Sequence, residues 1–444
     1  MFRANYDYDS RYYASFSFRR DGSSRFAESH RWGNFWSMGG AWIASKEAWF
    51  PKANWVDLLK LKASYGEQGN DNIGDFRYTD FYKISTVNGS ATLTFSSKGK
   101  EDITWETNGN FNAGIEFELF HHRFTGSVDY YHRKTTDMLL WFTTPMSLGY
   151  SGYYDNVGDM VNQGVELSLS GDIIKTKKVD WRVNFNLSHN KNEVTYLPDE
   201  NKMAVVDGHG GYKNLATYNF IGEGLPLYSW YLPKYAGPDS QGRSTWYVTN
   251  SDGSLGTTTQ YSSADYYLCG DANPKVYGGF GTTFAAYGFD LTANFLYSLG
   301  GKALDYGYMT LMQSPTSISE RGNLSTDLRN AWTSENTTST IPRFQYGDDN
   351  SAGVSSRFLT SSNSLTFKNV SLGYTFPGIW VRKLGLSSLR VYASCDNVYY
   401  WTKRHGFDPR SALDGQVRVQ DDTSYNFERF QPIRSISGGI TVKF

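Results

Sequence analysis

Residues 179–188 read VDWRVNFNLS, and apolar and polar side chains alternate through this stretch without exception. In an extended strand, residues two apart point to the same face, so a period of two sorts the side chains into two sets. The stretch therefore predicts a β-strand with one apolar face and one polar face. The apolar set is Val179, Trp181, Val183, Phe185 and Leu187, and the polar set is Asp180, Arg182, Asn184, Asn186 and Ser188.

The same alternation recurs along the chain, in residues 12–19, 59–65, 115–119, 124–130 and 289–297. Strands of a soluble β-sandwich also alternate, but these runs reach about 10 residues, which is near the length of a tilted strand that crosses a bilayer. The connections alternate between short and long, as they do in outer-membrane barrels with tight periplasmic turns and extended external loops. The sequence therefore predicts an all-β, antiparallel transmembrane barrel.

About 13 strands are expected between these connections. Bacterial single-chain barrels have an even number of strands, so we expect an odd number of further strands before residue 1 and treat residues 1–444 as the C-terminal part of a larger barrel. Long external loops are expected near residues 66–107, 190–273, 300–362 and 397–433, and the connections near 20–32 and 133–159 are also counted as long. The expected strands lie near residues 2–8, 11–19, 33–45, 56–66, 108–120, 122–135, 160–171, 179–190, 274–286, 288–300, 363–377, 386–398 and 434–444.

The composition agrees with a β protein and excludes several classes of function. Aromatic residues make up 17% of the chain, glycine occurs 44 times and only 20% of residues are charged, which favours strands and turns over helices. The formal net charge of -1 gives no global electrostatic reason to expect nucleic-acid binding. Mean hydropathy is -0.52, and no apolar run approaches the roughly 18 residues of a spanning helix. No secretory leader is recognised after Met1.

No catalytic or cofactor-binding motif is found. The chain lacks a zinc-protease helix motif, a nucleophile elbow and a P-loop, so we expect neither an enzyme nor a bound cofactor. Cys269 and Cys395 match no metal-ligand spacing, although a disulfide between them stays open. The pair His121 and His122 lies in a predicted tight turn and is not expected to bind metal.

Two further loop segments contain residues that are typical of turns but lack the spacing of metal ligands. Asp71, Asn72 and Asp75 are the best placed residues for a cation, but capping of turns by their side chains is the preferred interpretation. Residues 239–242 and the dipeptide at 252–253 are expected to form hairpin turns. No metal site is therefore predicted.

The chain ends on a strand with an aromatic last residue. Ile440, Val442 and Phe444 fall on one face of this strand. A terminal aromatic on an alternating strand is similar to the C-terminal signature by which outer-membrane proteins are recognised for insertion, and we interpret these three residues as an assembly signature.

Several segments in order along the chain resemble the SusC/RagA family of TonB-dependent outer-membrane transporters of Bacteroidota. They are residues 20–26 (RDGSSRF) followed by 31–33 (RWG), 59–74 (LKLKASYGEQGNDNIG), 126–131 (GSVDYY) with 134–140 (KTTDMLL), 156–158 (NVG) with 162–167 (NQGVEL), 218–226 (YNFIGEGLP), 273–279 (NPKVYGG) and 369–374 (NVSLGY).

The resemblance implies a barrel of about 22 strands in the outer membrane, of which about 13 lie in this chain. It implies energised import of a large nutrient, an oligosaccharide or a peptide, with a SusD-like surface lipoprotein as lid. Contact with the TonB complex would be made through an N-terminal plug region that is not recognised here. A passive porin-like channel and a soluble carbohydrate-binding β-sandwich are the alternatives.

Two sets of candidate site residues follow. The polar faces of the predicted strands are expected to line the lumen, and their members include Lys60, Lys62, Glu116, Glu118, Asp180, Arg182, Asn184 and Asn186. Aromatic residues clustered in or beside the long loops are candidates for stacking against a sugar ring. These are Tyr228, Trp230, Tyr231, Trp246, Tyr247 and Trp401, the last following Tyr399 and Tyr400. For the group at 399–401, membership of the aromatic girdle at the membrane interface is the alternative.

Overall fold

The protein is seen in a computed structural model that describes residues 1–51, 53–87, 89–144, 146–150, 152–214, 218–315, 323–348, 350–403 and 433–444. Its main feature is one antiparallel sheet of 13 strands, each hydrogen-bonded to its neighbours in chain order. The expected number of strands is confirmed, and a two-layer sandwich is ruled out. The strands are β1 Phe2–Tyr8, β2 Tyr12–Gly22, β3 Trp32–Ile43, β4 Val56–Asn70, β5 Glu106–Leu119, β6 Phe124–Thr136, β7 Asp159–Lys175, β8 Val179–Tyr196, β9 Val276–Ala286, β10 Phe289–Leu299, β11 Ser364–Thr375, β12 Ser388–Thr402 and β13 Ser435–Lys443.

The pairing register turns the alternation of single strands into two continuous faces. Residues directly opposite one another in an antiparallel sheet point to the same side. Across β4 to β8, one such row consists of Lys62, Gly114, Asp129, Glu166 and Ser188. The adjacent row, which points to the other side, consists of Leu61, Ile115, Val128, Leu167 and Leu187. We call these two sides the polar face and the apolar face.

Several strands extend further into the long connections than the sequence predicts. β8 has 18 residues and ends at Tyr196 instead of residue 190. Its extension, which contains Asn190, Lys191 and Asn192, has lost the apolar alternation, so the pattern gives no signal there. The backbone still pairs with β7, with Asn192 opposite Asn162. This pairing joins backbone N–H and C=O groups by hydrogen bonds, so it does not require apolar side chains.

The short connections lie at the opposite end of the sheet. Residues 120–122 all have positive φ, between 55° and 61°, and form the predicted tight turn between β5 and β6. The connection from β11 to β12 contains a short helix, α2 Gly378–Arg382, which the sequence analysis does not predict. A 3-10 turn, Ala44–Lys46, begins the connection from β3 to β4.

The long connections contain small sheets of their own and differ in length from the predictions. The first large one spans 71–105, because the strands on both sides are longer than expected, and the second spans 197–275, because the strand before it is longer. The third spans 300–363. The loop expected near 397–433 begins only after Thr402, and its residues 404–432 lie outside the described part of the chain.

The small sheets in the long connections have two to five strands. Among the described residues they are two hairpins, two larger sheets and one short pair of strands, and the helix α1 Tyr306–Leu311 lies in the third large connection. The hairpins are Phe81–Val87 with Ser90–Ser97 and Leu139–Thr143 with Gly152–Asn156. The five-stranded sheet contains Ala204–Val206, His209–Asn214, Asn219–Gly222, Ser229–Pro233 and Tyr266–Asp271, the three-stranded sheet contains Tyr235–Pro238, Ser244–Thr249 and Leu255–Thr258, and the short pair is Lys302–Leu304 with Leu359–Ser361.

The buried apolar clusters lie mainly in these connections. The largest joins 197–275 to 300–363 and consists of Trp230, Leu232, Ala272, Leu304, Met312 and Phe358. A second contains Val194, Leu197, Tyr212 and Ile221, and a third contains Phe26, Ile73 and Ile103. Among the described residues, no helix has the length and apolar character of a membrane-spanning helix. The buried apolar core of the described residues thus lies mainly in the long connections and not in the 13-stranded sheet.

Candidate functional site

The polar face carries a balanced network of charges across β4, β5 and β6. Lys60 and Lys62 contact the two carboxylate oxygens of Glu116 at 3.0 and 2.9 Å. Lys62 also contacts Asp129 at 2.8 Å. Two cations thus meet two anions, so this part of the face is polar without a strong preference for ions of either sign.

Further ion pairs lie on the same face nearer the short turns. Asp172 accepts hydrogen bonds from Arg182 at 2.6 Å and from Lys175 at 2.7 Å, and its side chain is only 2% exposed. A β-bulge at this carboxylate interrupts the pairing of β7 with β8. In β10 and β12, Arg390 contacts both oxygens of Asp290, at 3.1 and 2.6 Å. Such bidentate pairs fix the geometry of both side chains.

The eight residues predicted to line a lumen all lie on the polar face by register. Their contacts differ: Glu118 bonds to His122 in the adjoining turn, and Asn186 accepts a hydrogen bond from the amide of Gly279 at 2.9 Å. The sequence analysis did not single out Asp129, although Asp129 follows the alternation. That this face lines a lumen stays a prediction.

A row of amides crosses the middle of the sheet at Gly281. Asn184 and Asn294 lie opposite this glycine on either side, and Asn294 donates a hydrogen bond to Asn369 at 2.9 Å. A Cβ at Gly281 would lie 2.2 Å from Asn294 Oδ1 and 2.6 Å from Asn184 Oδ1. The glycine is therefore needed for space beside the amides.

Several hollows open on the polar face. Two, of about 810 and 660 Å³, lie over β1 to β6 and are lined largely by small residues such as Ser15, Gly39 and Ser64. The third, of about 440 Å³, lies nearer the long connections and is lined by Asn110, Phe111, Tyr131, His132, Arg133, Asn162, Glu166, Asn190 and Tyr277. Each of these hollows is a concave surface that the polar face offers to a solute.

Two of the aromatic candidates are core residues of the external connections. Trp230 is fully buried, and its indole N–H donates to the carbonyl of Lys302 at 2.9 Å. Trp246 is 1% exposed and packs edge-on against Tyr261. A ring without free surface has no face for a sugar, so the stacking hypothesis for these two tryptophans does not fit this arrangement.

Two of the three tyrosine candidates are covered by lysines of the same chain. Lys213 lies 5.3 Å from the ring centre of Tyr231, and Lys234 lies 5.4 Å from that of Tyr247. Each ammonium thus occupies an aromatic face through a cation–π contact. Tyr228 packs beside the largest core cluster and is half-buried.

Trp401 belongs to the apolar face. The register places Trp401 opposite Leu365, in the row that also contains Leu187. Tyr399 lies one step along the same face, opposite Phe367, which stacks on Phe295 at 4.4 Å. An exposed aromatic near the end of a strand on the apolar face is the arrangement of an interfacial girdle, which was the alternative for this group.

The external connections 71–105 and 137–158 are fastened by one nearly buried ion pair. Lys100 contacts Asp155 at 2.5 Å, and Asn156 bridges the two segments with hydrogen bonds to the amide and carbonyl of Thr104. Burial raises the pKa of the Asp155 carboxyl, against the opposing effect of the lysine. Lys100 therefore opposes the effect of burial on this carboxyl.

We expect Lys100→Ala to loosen the hairpin Leu139–Asn156 by about 1–3 kcal/mol, because the substitution leaves a buried carboxylate without its partner. Hydrogen exchange of the hairpin amides in the complete protein measures this change. Lys98→Ala is the matched control, since Lys98 is exposed and has no ion pair with a described residue. Equal protection in both variants would contradict the prediction.

The candidate cation ligands are paired with an arginine, and the two cysteines do not form a disulfide. Arg25 contacts Asp71 at 3.4 Å and Asp75 at 3.3 Å, so a guanidinium occupies the position considered for a metal. Within the described ranges, no group of three or more His, Cys, Asp or Glu side chains is placed to hold a metal ion. Cys269 and Cys395 are free thiols.

The final strand is paired through its length with β12. Ile440 lies opposite Val391 and Val442 opposite Leu389, on the apolar face, while Phe444 follows the last paired residue. The residues of the proposed assembly signature are thus on the side that the alternation predicts. Their role in membrane insertion stays a prediction.

Comparison with known proteins assigns the fold to a family. The family described as "TonB dependent receptor-like, beta-barrel" matches residues 1–302. TonB-dependent receptor P3 of Formosa agariphila is 29% identical over 100% of this chain and 45% of the relative, and TonB-dependent receptor SusC of Bacteroides thetaiotaomicron is 28% identical over 93% of the chain and 41% of the relative. The structure of the RagAB peptide transporter superposes with a TM-score of 0.82 at 29% identity, covering 100% of this chain and 47% of the matched chain.

The chain thus spans about half the length of the curated relatives it matches. Relatives and fold agree with one another, since a single antiparallel sheet with one polar and one apolar face is what a segment of a transmembrane barrel requires. The chain belongs to the TonB-dependent receptor β-barrel family of the outer membrane, in its SusC/RagA branch.

Proposed function

We propose that the chain forms one wall and the external connections of a TonB-dependent importer of large nutrients. The observation that carries the proposal is the continuous polar face of 13 strands beneath long, packed connections. A polar wall suits a hydrated path for an oligosaccharide or a peptide. The names of the relatives, a SusC receptor and a RagAB peptide transporter, support this function.

The proposed partners follow from the same relatives. A SusD-like lipoprotein would cover the external connections, and the TonB complex would act through parts of the complete protein outside residues 1–444. The packed clusters around Trp230 and Phe26 support the first partner, since they give the external side a defined surface on which a lid can rest. Outer-membrane lipid would contact the apolar face.

Energy coupling distinguishes this proposal from a passive channel. The polar wall does not close a wide lumen, so a plug that blocks it must be displaced by work. We expect uptake of a labelled nutrient by cells that carry the complete gene to fall to background when TonB is inactivated. Uptake that continued unchanged without TonB would replace the importer by a porin-like channel.

A further inference from the structure

We propose that Trp246, Ser355 and Arg357 form a binding site for one small monovalent inorganic anion, such as chloride, between two of the long external connections. We call it the anion site. Trp246 belongs to connection 197–275, whereas Ser355 and Arg357 belong to connection 300–363. An anion held by all three side chains would therefore join the two connections. The inference does not depend on the proposed function.

The guanidinium of Arg357 is a cation without a carboxylate partner in the described part of the chain. Two rings contact it, with Cζ 5.4 Å from the ring centre of Tyr235 and 4.9 Å from that of Phe358. Nη1 donates to the carbonyl of Ser351 at 2.8 Å, but Nη2 is buried and has no hydrogen-bond partner there. Burial lowers the pKa of Arg357, and only Tyr235 and Tyr308 oppose that effect. A buried positive charge is costly unless a negative charge accompanies it.

Two further buried groups nearby lack a hydrogen-bond partner among the described residues. Trp246 is 1% exposed, and its indole N–H has no acceptor. Ser355 is also 1% exposed, and its hydroxyl is unpaired. An indole N–H and a guanidinium can only donate, and a hydroxyl can donate as well as accept. The three groups together therefore require an acceptor, and the charge of Arg357 favours a negative one.

A turn from Ser351 to Ser355 brings the three groups together. Arg357 is bonded to the first residue of this turn, and the hydroxyl of its last residue is one of the three groups. The indole edge next to the nitrogen of Trp246 borders the middle of the turn, since a Cβ at Gly353 would lie 3.3 Å from Trp246 Cζ2. The ring of Tyr235 contacts both Arg357 and Trp246, whose ring centre lies 6.4 Å away.

Charge and packing specify the kind of anion. The guanidinium supplies one positive charge and the other two donors are neutral, so a monovalent anion balances the site. A water molecule could use the same donors but would leave the charge uncompensated. Packing is tight, since a Cβ at Gly353 would lie 2.7 Å from the ring of Tyr261. A single ion therefore fits this place better than an organic acid.

The anion site adjoins the largest apolar cluster of the external connections. Phe358 is a member of that cluster, and Ala352 and Val354 of the turn pack against it. An anion that fixes the turn should therefore slow local opening of both connections. Binding to the folded form stabilises it in proportion to the logarithm of the ligand concentration, once the dissociation constant is exceeded.

The test measures hydrogen exchange of the complete, detergent-purified protein in sodium chloride and in sodium isethionate of equal ionic strength. Isethionate is monovalent but too large for the site. We expect chloride to slow exchange in residues 244–249 and 350–358 by about tenfold or more, in a saturable manner, and bromide to replace it. Arg357→Met, which removes the charge and keeps the length of the side chain, should abolish the chloride dependence.

Two further variants separate the anion site from a general effect of salt. Trp246→Phe keeps a ring but removes the N–H, so it should raise the chloride concentration of half-maximal protection by about tenfold or more. Arg329→Met is the matched control, since Arg329 is an exposed arginine of the same connection without an ion pair to a described residue. We expect this control to retain the full chloride dependence.

Crystals of the complete protein grown in bromide give a direct readout, because bromide is located by its anomalous scattering. We expect a peak within hydrogen-bond distance of Arg357 Nη2 in the unaltered protein and none in Arg357→Met. The proposal is overturned by equal exchange in chloride and isethionate, by chloride dependence that survives Arg357→Met, or by its loss in Arg329→Met. A bromide peak without any effect on exchange would mean an adventitious ion only and would also overturn it.

Discussion

Val183→Arg is expected to lower the free energy of unfolding of the complete protein by about 2–4 kcal/mol, whereas Asn184→Arg should lower it much less. Val183 lies on the apolar face in a row with Thr282 and Ala293, close to the middle of the eleven-residue strands β9 and β10. An arginine at that position would face the hydrocarbon core of the membrane. Denaturant unfolding in lipid vesicles measures the difference.

Asn184 is the matched control because it is the next residue of the same strand and points to the polar face. The two variants have the same strand, nearly the same depth in the membrane and the same inserted side chain. They differ only in the face of the sheet to which the arginine points. Equal losses from the two substitutions would show that the assignment of lipid and lumen to the two faces is wrong.

Trp230→Ala is expected to cost about 3–5 kcal/mol within the external connections, because it removes a fully buried indole from the largest apolar cluster. The substitution also leaves the carbonyl of Lys302 without its donor. The loss should appear as faster hydrogen exchange in 218–275 and 300–315, while the amides of the 13-stranded sheet keep their protection. Hydrogen exchange resolves this because local opening is measured separately from global unfolding.

Trp401→Ala provides the comparison for Trp230→Ala. Trp401 is 47% exposed on the apolar face, so its removal should leave exchange in the external connections unchanged. If Trp230→Ala abolished nutrient binding without any change in exchange, the original hypothesis of sugar stacking by Trp230 would be restored and its assignment to the core would be wrong.

The local pattern is informative wherever both faces of a strand have distinct surroundings. In residues 179–188, each side chain faces either the apolar or the polar side. The alternation and the connections together located the ends of the 13 strands to within four residues, except for the end of β8, which lies six residues beyond the predicted one. The pattern fails just beyond residue 190, where Lys191, Asn192 and Glu193 put polar side chains on both faces of β8. It also fails at α2, which is too short to display a helical period.

The sequence did not predict the surroundings of the aromatic residues. Trp230, Tyr231 and Trp401 look alike in the sequence, yet the first is buried against Leu304, the second is covered by Lys213 and the third lies on the apolar face. These outcomes depend on segments more than 15 residues away, as for Trp230 and Lys302, whose bond joins positions 72 residues apart. The periodicity of side chains along one strand does not predict contacts with segments so far away in the sequence.

The sequence by itself determined the fold class, the number of strands, the polar and apolar sets and the resemblance to the SusC/RagA family, because each is encoded in side chains close together along the chain. Tertiary structure alone decided which polar residues meet. Lys62 pairs with Asp129, and Tyr131 with Asn190, only because the register of β4 to β8 aligns them. Register is a property of paired strands, so the balanced charges around Lys62 and the hydrogen bond between Tyr131 and Asn190 exist only in the assembled sheet.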